Sequence, residues 1–172
     1  MDEQAPQYCP DCGDTLTSRV IEDRPRAYCT SCEKPVYRNP KPCAGVLVVD
    51  DGSVLLVKRT QPPGIGTWSV PAGFLEYDEP PATGAVRELE EETGVSASAE
   101  DLELFDTAFV TAGQRENVVV IIYRVDRSVT DGHPEPGSDA GAARFWEMNA
   151  FETQDEDIEP GYEEIIRRAR TL

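Results

Sequence analysis

Residues 44–49 form an unbroken apolar run, and the turn Asp50-Asp51-Gly52 leads into a second apolar stretch, Ser53–Arg59. Two such runs joined by a short polar turn predict a hairpin of strands. Residues 60–66 hold Pro and Gly and read as a loop, with 67–70 as a short strand after it. Residues 102–110 and 117–125 are strand-like again, joined by 111–116, and 128–140 is a polar loop carrying Pro and Gly. Residues 144–147 predict a last short strand. A helix over 161–172 would dock Ile165, Ile166 and Ala169 on the sheet. Nearer the N-terminus, Thr17–Ile21 and residues 26–28 suit two short strands. Residues 35–42, PVYRNPKP, read as an extended linker because each proline biases its predecessor away from helix.

One stretch changes period. Asp78 can act as N-cap, Pro80 and Pro81 suit a first turn and Gly94 a C-terminal stop, so a helix of about fourteen residues is predicted between them. At about 100° per residue, Ala82, Ala85, Val86, Leu89 and Thr93 make a narrow inward stripe. Glu88, Glu91 and Glu92 fall on another arc, so their carboxylates converge beside that stripe, while Glu90 points elsewhere. Glu79, Glu88, Glu90, Glu91 and Glu92 surround a single Arg87. Crowding that much like charge costs free energy unless something positive offsets it. Oxygen-only ligands clustered this way suit Mg²⁺ or Mn²⁺, hard cations often shared with substrate phosphates. The plain alternative is a solvated acidic helix face.

Charge and cysteines widen the picture. The 172 residues carry 33 acids against 16 bases, a formal net charge of −17. That balance disfavours non-specific binding to nucleic acid or to an anionic membrane. It suits a salt-rich cytoplasm, where carboxylates keep a surface hydrated, and equally an ordinary acidic protein. No apolar stretch reaches the length of a membrane span and no basic, apolar signal opens the chain, so a cytoplasmic protein is expected. Cys9-Pro-Asp-Cys12 and Cys29-Thr-Ser-Cys32 stand sixteen residues apart, within the range of a four-cysteine zinc site. Each Cys-x-x-Cys can offer two thiolates to one tetrahedral Zn²⁺. Two disulfides are the alternative, but nothing here points to an oxidising compartment. Some forty residues bury too little surface to fold alone, which makes a closed, structural zinc the stabilising element. The module resembles a zinc ribbon. Cys43 has no partner at ligand spacing and reads as a small core residue.

Gly73, Glu79, Arg87-Glu88-Leu89, Glu91-Glu92, Gly94 and Val95 stand in one register, and that register resembles the Nudix box of the Nudix hydrolases. The resemblance implies an α/β fold, the Nudix α/β/α sandwich with a mixed sheet, over 41–172, preceded by a zinc ribbon and linker over 1–40. It also implies metal-dependent hydrolysis of a pyrophosphate bond. Glu91 and Glu92 match the family's metal-ligand positions, and the Ala72 carbonyl would add a neutral oxygen. Glu88 matches a position that is a ligand in some members and the general base in others. Crowding couples these titrations, so Glu88 and Glu91 both stay open as the base. Arg87 is placed to orient the carboxylates, with Glu79 as its partner. Glu116 and Asp139 are candidates for a further acidic ligand.

The implied substrate is a small nucleotide, a nucleoside diphosphate linked to another group. A ribbon ahead of a Nudix domain resembles the NADH pyrophosphatases, but their Ser-Gln-Pro-Trp-like segment is absent, since no proline stands between Pro81 and Pro134. The linker YRNPKP and the approach GTWSVPAGFLE look closer to proteins tied to ADP-ribose or FAD hydrolysis, which places ADP-ribose first. Two other readings stay open: a nucleotide-sensing regulator on a Nudix scaffold, and a hydrolase of nucleotide-capped RNA. Regulators commonly lose box carboxylates, and this box is intact. The ribbon's Arg19, Arg24, Arg26, Lys34 and Arg38 are a thin footprint for RNA. A homodimer stays open as well.

Overall fold

The computed structural model describes residues 6–62, 64–112, 116–137 and 140–169. The chain divides into two compact units, Met1–Pro40 and Lys41–Leu172. In the first, β1 (Thr17–Ile21), β2 (Arg24–Cys29) and β3 (Lys34–Val36) form an antiparallel sheet in the order β1-β2-β3. Glu22 and Asp23 turn the first hairpin at φ 51° and 60°, the pair of left-handed residues that matches strand twist. The expected linker over 35–42 is shorter than that, because its ends are strand. Pro35 sits opposite Tyr28 on the edge strand β3, where a missing N–H costs no ladder bond, and the next strand starts at Lys41.

The second unit is built on β4 (Lys41–Asp50) and β5 (Ser53–Arg59). The apolar run of β4 is continuous because both of its faces are covered. Cys43, Leu47 and Val49 enter one core, while Ala44, Val46 and Val48 enter the other. Short strands β6 (Trp68–Ser69) and β7 (Ala72–Phe74) pair with β5 and β4 respectively. Helix α1 (Pro81–Thr93) follows, then β8 (Glu103–Ala112), β9 (Glu116–Asp126), β10 (Ala140–Glu147), α2 (Met148–Gln154) and α3 (Glu163–Ala169). The seven-stranded sheet runs β10-β5-β4-β9-β8, with β4–β9 parallel and the other pairs antiparallel, a mixed sheet. Ala85 and Leu89 of α1 pack on one face; Phe151 of α2 and Ile165, Ile166 and Ala169 of α3 pack on the other. This is the α/β/α sandwich. Among the described residues no helix is long and apolar enough to cross a membrane.

Three differences from the sequence reading have physical causes. Helix α1 begins at Pro81, and its N-cap is Pro80 (φ −61°, ψ 142°) without a side-chain cap bond, so Asp78 does not cap it. Each residue before a proline is driven out of the helical region, which bars Glu79 and Pro80 from the helix. Strand β10 starts at Ala140, four residues early. Its small residues carry little strand signal, and pairing with β5 through a register shift between Ala140 and Ala142 extends it. The strand-like approach GTWSVPAG is observed as two short strands, β6 and β7, and helix α2 has no counterpart in the sequence reading. The helix expected over 161–172 is observed as Glu163–Ala169, and 170–172 lie outside the described residues.

The loop after β9 is anchored to α1. The N–H groups of Glu135 and Gly137 donate to the carbonyls of Thr93 and Glu92, at 2.8 and 3.0 Å, and the Gly94 N–H donates to Glu90. Carbonyls that a helix C-terminus leaves unsatisfied are thereby paired. Ser96 and Asp131 exchange backbone bonds beside this clamp. Gly137 permits the approach, since a Cβ there would lie 1.8 Å from the Glu91 carbonyl oxygen.

Candidate active site

Arg87 sits at the centre of the acidic helix. Its Nε and Nη2 donate to the two oxygens of Glu79, both at 2.9 Å, a bidentate pair. Nη2 also donates to the Phe74 carbonyl at 3.1 Å, tying α1 to β7. The remaining nitrogen, Nη1, bridges Glu88 (2.7 Å) and Glu91 (3.1 Å). One cation therefore positions three carboxylates. Its own charge is locked on by these partners, and Glu79 is held below the usual carboxylate range by the bonds from Arg87. For Glu88 burial is the larger effect and raises its pKa, against the pull of Arg87.

Glu92 turns the other way and accepts from the Ala72 N–H at 3.0 Å. Gly73 makes room for Glu88: a Cβ at that position would lie 2.0 Å from the Glu88 carboxyl carbon. Gly84 serves Glu79 in the same manner, with a Cβ falling 2.7 Å from Glu79 Oε2. Glu90 is exposed. On the buried side, Gly84, Ala85, Leu89 and Thr93 face the sheet, whereas Ala82 and Val86 of the expected stripe are half-buried. Glu116 opens β9, and its side chain and all of Asp139 lie outside what is described.

Glu88 and Glu92 line a cleft of about 630 Å³. Although α1 packs on one face of the sheet, this cleft opens over the other, floored by Cys43, Val70, Val118, Val120 and Tyr162. Burial pushes the Cys43 thiol up to about 12, with Glu88 and Glu92 adding to it, so it remains a neutral core thiol. Arg59 and Glu159, 3.5 Å apart, share the lining. The sequence gives no motif for either: one ends β5, the other precedes α3, and only the fold joins them. Trp68 is core, 2% exposed, its indole N–H donating to Glu156, which also holds Lys58.

Glu88, Glu92 and Ala72 line the cleft, whereas Glu91 is exposed and stands outside that lining, so the three box carboxylates do not close on one point. Their oxygen-only chemistry fits a hard divalent cation. The cysteines are drawn closer. The Sγ atoms of Cys9, Cys12, Cys29 and Cys32 all lie within 4.8 Å of one another, as no other set of three or more His, Cys, Asp or Glu ligand atoms does among the described residues. Cys12 and Cys29 are 3.5 Å apart, Cys9 and Cys32 4.0 Å, and all five thiols of the chain are free. The Cys32 N–H donates to Cys29 Sγ at 3.4 Å and pulls that thiol down to about 7. Four thiols around one point can hold one tetrahedral metal ion.

The sequence matches the NUDIX domain over residues 39–169, and the chain belongs to the NUDIX family. Among particular proteins, it is 35% identical over 103 residues to a MutT-like protein of Streptomyces ambofaciens, covering 60% of each chain. It is 31% identical over 114 residues to an ADP-ribose pyrophosphatase of Methanocaldococcus jannaschii, covering 66% of each. The chain thus spans under two thirds of the length of these relatives. A NUDIX hydrolase from Nitrosomonas europaea has a similar structure, with a TM-score of 0.73 and 26% identity over 96% of this chain and 91% of that one.

Proposed function

We propose that the protein hydrolyses the pyrophosphate bond of a nucleoside diphosphate linked to another group, ADP-ribose before others, with Mg²⁺ or Mn²⁺ as the cation. The observation that carries this reading is the cleft itself. Its volume of about 630 Å³ suits a molecule of dinucleotide size, its floor is apolar, and Glu88 and Glu92 enter it at one wall. The similarity to an ADP-ribose pyrophosphatase supports the choice of substrate.

Glu88, Glu91, Glu92 and the Ala72 carbonyl would hold the cation, which when bound supplies charge neutralisation for the two phosphates and a more acidic water. Arg87 acts on the carboxylates and not on the substrate: all five of its hydrogen bonds run to Glu79, Glu88, Glu91 and Phe74. Glu88 is suited to accept a proton, since its pKa is raised by burial and Arg87 fixes its orientation. The ribbon's four thiols would hold one structural Zn²⁺, and residues 1–40 and 41–172 would act as ribbon and hydrolase domain.

A panel of nucleotide diphosphates and triphosphates assayed with each cation tests the activity. ADP-ribose, NADH or FAD should yield AMP and the other phosphorylated half, well ahead of any triphosphate. Dominant triphosphate cleavage with pyrophosphate release would reject the substrate assignment. For the ribbon, elemental analysis should return about one zinc per chain. Chelation should raise amide exchange in residues 6–40 before the larger unit loosens, because so small a unit depends on its metal. Cysteines joined as two disulfides in the purified protein, with no zinc, would remove the ribbon reading.

A further inference from the structure

Arg59 and Glu159 are an ion pair in the cleft lining, which also holds Glu76 and Lys58, the latter bonded to Glu156, and nothing in the acidic helix requires the pair. Their side chains are 28% and 12% exposed and face each other at 3.5 Å, too long for a close charge-assisted hydrogen bond. Both are anchored by backbone. Arg59 exchanges bonds with Thr67 and Gly66, and the Glu159 N–H donates to the Trp68 carbonyl at 2.8 Å. Thr60 and Gln61, a hydroxyl and an amide, line the cleft beside them.

A fixed cation and a fixed anion side by side select a ligand group that both donates and accepts. A phosphate fits badly, because Glu159 would repel it. A nucleobase favours a flat aromatic face, and Phe74, 51% exposed with the Lys41 ammonium 5.1 Å from its ring centroid, offers one at the same cleft. Hydroxyls meet the requirement: each can donate to the carboxylate while accepting from the guanidinium. We propose that Arg59 and Glu159 bind the vicinal diol of the sugar on the far side of the diphosphate, and so set the preference for a ribosyl over a non-sugar leaving half. This rests on the cleft being the substrate site of the proposed hydrolase.

Titration of the unsubstituted protein with ribose 5-phosphate and with 2-deoxyribose 5-phosphate, each with Mg²⁺, tests the site without turnover. The diol sugar should bind at least about fivefold more tightly; equal affinities overturn the proposal. In turnover, Glu159→Gln and Arg59→Gln should each lower the ratio of kcat/KM for ADP-ribose over the ADP ester of a simple alkyl alcohol by about tenfold, mainly through KM, the size expected for one charge-assisted bond. An equal loss on both substrates would assign the pair a structural role and sink the idea. Should the unsubstituted protein cleave no ADP-linked diphosphate, the proposed function fails while the two-sugar titration still decides the diol site.

Discussion

Glu92→Gln should lower Mg²⁺-dependent turnover of ADP-ribose by at least about a hundredfold, the scale reached when a preorganised charge is removed from a developing transition state. The substitution keeps an oxygen able to accept from the Ala72 N–H, a bond of 3.0 Å, so the local backbone has no reason to move. Cation affinity should fall alongside turnover. Without the cation, the fold should be as stable or slightly more so, since one of several crowded carboxylates has gone. Glu90→Gln is the control: that side chain is exposed and takes part in none of the Arg87 bonds. Steady-state kinetics and Mg²⁺ titration of both proteins decide the matter. Near-normal turnover in Glu92→Gln would falsify the metal site, and equal damage from Glu90→Gln would show that the helix itself had been disturbed.

Gly73→Ala should be nearly as costly, for a different reason. The new Cβ would meet the Glu88 carboxyl carbon at 2.0 Å and its oxygens at 2.1 and 2.3 Å. These atoms are the tip of a flexible side chain, so Glu88 swings aside and the backbone of β7 stays paired with β4 at Ala44. Displacing a reacting group by about an ångström costs on the order of a hundredfold in rate. Stability should change little, with Tm moving by no more than about 4 °C, the shift that roughly 1 kcal/mol produces in a chain of this size. Calorimetry beside kinetics separates the two effects. Full activity in the substituted protein would mean that Glu88 works from some other position.

What could be read in advance follows from how local each cause is. The apolar run of β4 and the bounds of β5 are visible because burial on two faces leaves an unbroken hydrophobic signature. The box carboxylates are visible through helical spacing, though their convergence is only partial. Glu88 and Glu91 gather on Arg87 while Glu92 turns to the Ala72 N–H, a division that depends on where β7 runs. Helix α1 starts later than a cap at Asp78 implies, because that cap preference is a weak propensity while two prolines impose a steric prohibition. Arg59 and Glu159 could not be found, since their pairing is a product of topology, across a separation at which sequence carries no pattern.

The clamp between residues 133–137 and the end of α1 bears on how the chain can be re-engineered. By composition 128–140 is the most inviting place to splice in a tag, a reporter or a second domain: polar, with Pro and Gly, between two strands. Loop insertions succeed where the backbone is free of obligations, and here Glu135 and Gly137 spend their N–H groups on Thr93 and Glu92. A cassette placed at 134–136 would strip partners from the carbonyls of the very turn that carries Glu91 and Glu92. The cost would surface as lost catalysis in a protein that still folds. The turn at Asp51-Gly52, joining β4 to β5 and distant from the cleft lining, is the better graft site.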